Sequence, residues 1–111
     1  MTKKYKEEIK ELMGKSYHKF FPLVEGLNSQ NDLESFIESY MEVMHERIRD
    51  GDISEAYGIT RPSSVSIRDY AKLLTRDNLS MLARIYEANK GKKINKNWDK
   101  TTDKICPDPR G

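Results

Sequence analysis

At 111 residues the chain has the length of one domain, and its net charge of +2 is close to neutral. With 36% hydrophobic and 34% charged residues, a core without disulfide or metal requires the apolar positions to be gathered on faces. The apolar residues are too frequent and too regularly placed for a disordered chain, and the longest apolar run, Phe20 to Val24, falls far short of a membrane span.

Along the chain, Tyr5, Ile9, Leu12, Met13, Tyr17, Phe20 and Phe21 recur at gaps of three and four, which predicts a first amphipathic helix. Thr2 is placed to cap it, Pro22 to end or kink it, and Gly14 to permit a bend. Gly26 and Asn28 then supply a loop. The strongest helix covers residues 31–50, where Leu33, Phe36, Ile37, Tyr40, Met41, Met44 and Ile48 fall in one arc at about 100° per residue. Asn31 with Glu34 resembles a capping box, and Gly51 is a natural stop.

Asp52 with Glu55 predicts one short turn over Ile53 to Tyr57, closed by Gly58, before a loop through Arg61-Pro62-Ser63-Ser64. Ser66 with Asp69 opens a third helix on Ile67, Tyr70, Ala71 and Leu74. A fourth begins near Asp77 with Leu79, Leu82, Ile85 and Tyr86 and stops at Gly91. Only Val65 to Ile67 and Lys92 to Trp98 leave any room for a strand. The expected fold is therefore all-α: a compact bundle of about four helices over residues 1–98, with a basic, partly disordered tail over 99–111. Pro107 and Pro109 prevent regular structure in that tail.

Residues that do chemistry are sparse. His18 and His45 fall on different helices. His45-Glu46 opens like the helical zinc-protease motif, but Arg49 stands where the second histidine is required. There is no Cys-x-x-Cys pair and no glycine-rich phosphate loop, and Cys106 reads as a surface thiol on a flexible tail. The sequence thus predicts no catalytic site, no metal and no cofactor. A single cysteine argues for a reducing compartment. Lys3, Lys4 and Lys6 are followed by Glu7 and Glu8 rather than by an apolar signal core, so the expected location is cytoplasmic.

Charge is the one uneven property. Residues 29–50 hold six acids against Arg47 and Arg49, a balance of −4, while residues 90–104 hold six lysines against Asp99 and Asp103, a balance of +4. Glu34, Glu38, Glu42, Glu46 and Asp50 repeat every four residues, a row expected to wind around the side opposite the apolar stripe. Such a row is either a wetted helix face or a ridge for a basic partner, for instance the nucleic-acid channel of a larger protein. In both cases its members repel one another, so reversing two of them is expected to leave the fold intact or slightly stabler.

The second candidate surface is basic: Lys90, Lys92, Lys93, Lys96 and Lys100 around Trp98, where lysines suit phosphates and the indole either stacks on a base or folds back on the core. Residues 66–90 also resemble part of a helix-turn-helix: Ala71 and Met81 fit the pattern, whereas Thr75 replaces the usual glycine and Arg84 an apolar residue. The leading expectation is a small non-enzymatic accessory or inhibitor protein that binds a larger protein through its charged helical face. That profile is shared by many phage and mobile-element proteins. The alternative is a nucleic-acid-binding regulator using the 66–90 hairpin and the basic segment 90–104.

Overall fold

The computed structural model describes residues 4–50 and 65–107. These form five α-helices and one 3-10 turn, and no strand occurs among them. The elements are α1 (Lys6–Leu12), a 3-10 turn (Tyr17–Phe20), α2 (Phe21–Glu25), α3 (Gln30–Arg49), α4 (Ile67–Lys90) and α5 (Trp98–Ile105). The all-α class is as the periodicity predicts, but the partition into helices differs in three places. The short turn at Ile53–Tyr57, the loop at Arg61–Ser64 and the caps Thr2 and Gly51 lie outside the described residues.

The first difference is at the N-terminal stripe, which is broken into three pieces rather than one helix. α1 ends at Leu12, Met13 turns to an extended backbone at ψ 131°, and Gly14 follows at φ +88°, a left-handed conformation that a continuous helix excludes. Ser16 then starts the 3-10 turn by accepting a hydrogen bond from the His18 N–H, and Pro22 occupies the first turn of α2, where no N–H is needed. The apolar residues nonetheless point inward as the stripe requires: Tyr5, Ile9, Phe20, Phe21 and Val24 are all buried.

The second difference is that the predicted third and fourth helices are one. Ile67–Lys90 runs without a break through Thr75, so there is no helix-turn-helix hairpin at 66–90. Thr75 is accommodated inside that helix, its buried hydroxyl satisfied by the Ala71 carbonyl one turn back at 2.7 Å. Ser66 caps this helix as expected, its Oγ accepting from the Asp69 N–H at 3.1 Å. In α3 the cap is not Asn31 but Ser29, which accepts from the Asp32 N–H at 3.1 Å.

The third difference is at the C-terminal end, where residues 98–105 form a packed helix instead of the start of a tail. Trp98, Thr101, Thr102 and Cys106 are buried, so the thiol is sealed rather than on the surface. Burial pushes the Cys106 thiol up to about 11.

α3 is the central element, packing against α1, α4 and α5. Phe36 is 0% exposed and is the hub of the aromatic core, with ring centroids 6.1 Å from both Tyr5 and Tyr40 and 5.9 Å from Trp98. Leu33, Ile37, Val43 and Met44 on the same helix share one apolar cluster with Leu79 and Leu82 of α4. At the centre of the polar contacts, the Asn78 amide oxygen accepts from the hydroxyls of Tyr17 at 3.3 Å and Tyr40 at 3.2 Å, which joins the 3-10 turn and α3 to α4. No helix among the described residues is long and apolar enough to cross a membrane.

Candidate functional site

The acidic row does not stand on an open side of α3. Because α3 is flanked by three helices, a row that winds around it meets cations from its neighbours. Glu46 accepts from Lys6 of α1 at 2.7 Å and lies 3.6 Å from Lys10. At the other end, Glu34 pairs with Lys104 of α5 at 3.1 Å, and Asp50 pairs with the adjacent Arg49 at 3.2 Å. Glu38 and Glu42 are half-buried and share a groove with Met41, Arg68 and Ile105. Two carboxylates of the row therefore tie α3 to its neighbours, Glu46 to α1 and Glu34 to α5, so the row is more than the self-repelling face that its spacing predicts. The hydrogen bond from Lys6 holds the Glu46 carboxyl below its ordinary range, and the same bond raises the Lys6 ammonium.

A cleft next to this groove is lined by Lys6, Glu42, His45, Glu46, Arg49 and Arg68, with Met41 and Ala71. It gathers titratable groups, yet its lining includes no serine, threonine or cysteine, and Glu46 is already engaged by two lysines. His18 is not in this lining: its Nδ1 lies 3.0 Å from Ser16 Oγ and its ring packs on Phe21 at a tilt of 43°. Among the described residues no cluster of three His, Cys, Asp or Glu side chains is placed to hold a metal ion.

The basic segment behaves differently. Gly91 ends α4 at φ +68°, and its N–H bonds to the Glu87 carbonyl at 2.9 Å. The chain then turns through residues 91–97 and re-enters a helix at Trp98. That turn is fixed from inside. The Asn97 N–H donates to Asn95 Oδ1 at 2.8 Å, and the Trp98 N–H donates to the Asn95 carbonyl at 3.0 Å. The Asn97 side-chain amide donates to Gln30 Oε1 at 3.2 Å, and Gln30 in turn donates to Thr101 Oγ1 at 2.8 Å, which ties the start of α3 to α5.

Trp98 is only 2% exposed, and its indole N–H donates to the Leu79 carbonyl at 3.3 Å. It anchors the turn from inside the core, which corrects the expectation that its indole stacks on a ligand. Lys90 is drawn to Glu25 of α2 at 3.2 Å. Lys92, Lys93, Lys96 and Lys100 are exposed, and among the described residues no carboxylate lies within ion-pair distance of any of them.

The lysines were legible in the sequence, but the residues that position them were not. Asn95, Asn97 and Gln30 carry no periodic signal. The spacing Trp98, Thr101, Thr102, Ile105 does follow a helical stripe, and it is obscured by the surrounding lysines, aspartates and prolines. Comparison with protein-family models, curated proteins and solved structures gave no match.

Proposed function

We propose that the chain is a non-enzymatic binding domain that contacts nucleic-acid phosphates through the lysines of the turn between α4 and α5 and of the first turn of α5. The observation that carries this reading is the contrast in pairing: Lys92, Lys93, Lys96 and Lys100 are exposed with no acidic partner among the described residues, whereas Glu34, Glu46 and Asp50 are each met by a cation. Flexible ammonium groups on a fixed turn suit a polyanion, whose bound counterions they displace. The surface-neutral explanation, that lysines past the end of α4 only favour its dipole, accounts for Lys90 and Lys92 but not for Lys96 and Lys100 a turn or more beyond. A cytoplasmic location belongs to the same proposal and rests on the single cysteine.

The test is a binding titration at about 50 mM salt, a permissive condition for phosphate contacts. Lys93→Glu with Lys96→Glu is expected to abolish binding while leaving the thermal midpoint unchanged, since both side chains are exposed. Equal affinity of the parent and the double variant would end this reading.

A second reading keeps a protein partner, and with it the possibility of an accessory or inhibitor of phage or mobile-element origin. It is favoured by the groove in which Glu38, Met41 and Glu42 lie beside Arg68 and Ile105, a mixed apolar and charged surface suited to a basic partner. Glu38→Lys with Glu42→Lys is expected to release a nuclease-resistant partner captured from host lysate. The same change is expected to lower the thermal midpoint slightly, because Glu42 faces Lys6 and shares its groove with Arg68. A raised midpoint would restore the repulsive ridge predicted from sequence.

A further inference from the structure

We infer that the lysine turn reads only the phosphate backbone, so that its ligand is duplex nucleic acid bound without regard to base sequence. This rests on the phosphate-binding reading above and specifies its ligand. Base recognition is built mainly from planar amide and guanidinium groups aimed at base edges or from aromatic rings open for stacking; a lysine ammonium also reaches guanine, but as a flexible point charge without a planar fork. The turn and the first residue of α5 include residues of both kinds, and each makes a hydrogen bond within the fold.

Asn95 offers its amide oxygen to the Asn97 N–H at 2.8 Å, and Asn97 directs its amide nitrogen to Gln30 at 3.2 Å. Trp98, the one tryptophan, is 2% exposed with its N–H on the Leu79 carbonyl. Across the described residues no Phe, Tyr or Trp ring is exposed; Tyr17 alone among them is half-buried, and its hydroxyl is bonded to Asn78. What remains facing outward from residues 92–100 is four ammonium groups and the Asp99 carboxylate. An ammonium is a point charge that carries no sequence information when it meets a phosphate. The described residues thus offer single strands no exposed ring to stack on, while the denser charge of a duplex strengthens the lysine contacts.

The experiment uses the full chain and fluorescence anisotropy with three labelled probes: an AT-rich duplex, a GC-rich duplex and a single-stranded oligothymidylate. The duplexes are expected to bind within about threefold of each other. Four phosphate contacts at roughly 0.9 per contact give a log–log salt slope near −3.6 on duplex, an affinity loss of about 150-fold between 50 and 200 mM salt. Lys96→Ala is expected to flatten that slope by about 0.9. A tenfold preference for one duplex sequence, or tighter binding to the single strand with a slope near −2.8 (four contacts at roughly 0.7), overturns the inference and leaves phosphate binding standing. Failure to bind all three probes overturns both.

Discussion

Residues 29–50 and 90–104 carry mirror-image charge balances, −4 and +4, yet the fold treats them in opposite ways. The acids sit on α3, which is surrounded by α1, α4 and α5, and most of the row meets a cation from a neighbouring segment or an adjacent residue. The lysines sit where the chain leaves one helix and enters another, at the edge of the packing, and four of the six remain exposed without an acidic partner among the described residues. Charge counted along a sequence therefore does not measure charge offered to a partner. The position of the bearing element within the bundle decides how much of it the fold consumes.

The largest test of this contrast lies at the base of the basic segment. Trp98→Ala removes a buried indole that packs on Phe36 and caps its N–H on Leu79, and it is expected to destabilise the domain by about 3–5 kcal/mol in urea unfolding. An unchanged midpoint would return residues from 98 onward to the status of a tail. A smaller effect is expected at Gly91. A Cβ there would meet nothing within 4 Å, but φ is +68°, so Gly91→Ala should cost about 1–2 kcal/mol through backbone conformation alone. Gly91→Asn should recover part of it, and equal losses for the two variants would point to a cause other than the left-handed backbone.

The smallest effect is on the acidic side. The Lys6–Glu46 pair is about a quarter exposed at each end, 22% and 26%, so Glu46→Gln should cost at most about 1 kcal/mol at pH 7. Because the folded carboxyl titrates below its ordinary value of 4.5, the contribution is present above that value and is lost as pH falls through the depressed one. Parent and variant should therefore converge in acid. The Lys6 side has the opposite sign: its share persists up to the ordinary value of 10.5 and disappears as pH rises through the raised one. A difference that survives at both extremes would mean that Glu46 stabilises by packing rather than by charge.

Much of the fold was legible where one periodic pattern coincided with one element. The stripe from Leu33 to Ile48 gave α3 to within a residue at each end, and Ser66 gave the start of α4. Legibility failed where a residue's local preference was settled by a contact that the sequence does not display. Thr75, which stands where the helix-turn-helix pattern has glycine, lies inside α4 with its hydroxyl on the Ala71 carbonyl, and Asp77, read as a helix start, is an exposed residue inside α4. Gly14 was read as a permitted bend, and the extended Met13 followed by its own φ of +88° makes the site a break. For the candidate sites, the lysines and glutamates were identified by type and spacing alone. Their availability depends on partners such as Lys6, Lys104 and Gln30, distant in sequence, and no local pattern encodes those meetings.

The sealed thiol at the end of α5 bears on time rather than on strength. Cys106 is 0% exposed, and the Arg76 guanidinium donates to its carbonyl at 3.0 Å and to Asp103 at 2.6 Å, closing the last turn against α4. Only a thiolate reacts readily with an alkylating reagent, and burial suppresses it here. Labelling at neutral pH must therefore wait for the terminal helix to lift away. As the only cysteine in the chain, Cys106 is a built-in clock whose rate reports how often that end of the bundle opens. If α5 opens alone, the clock runs faster than global unfolding; if the bundle opens as one unit, the two rates coincide.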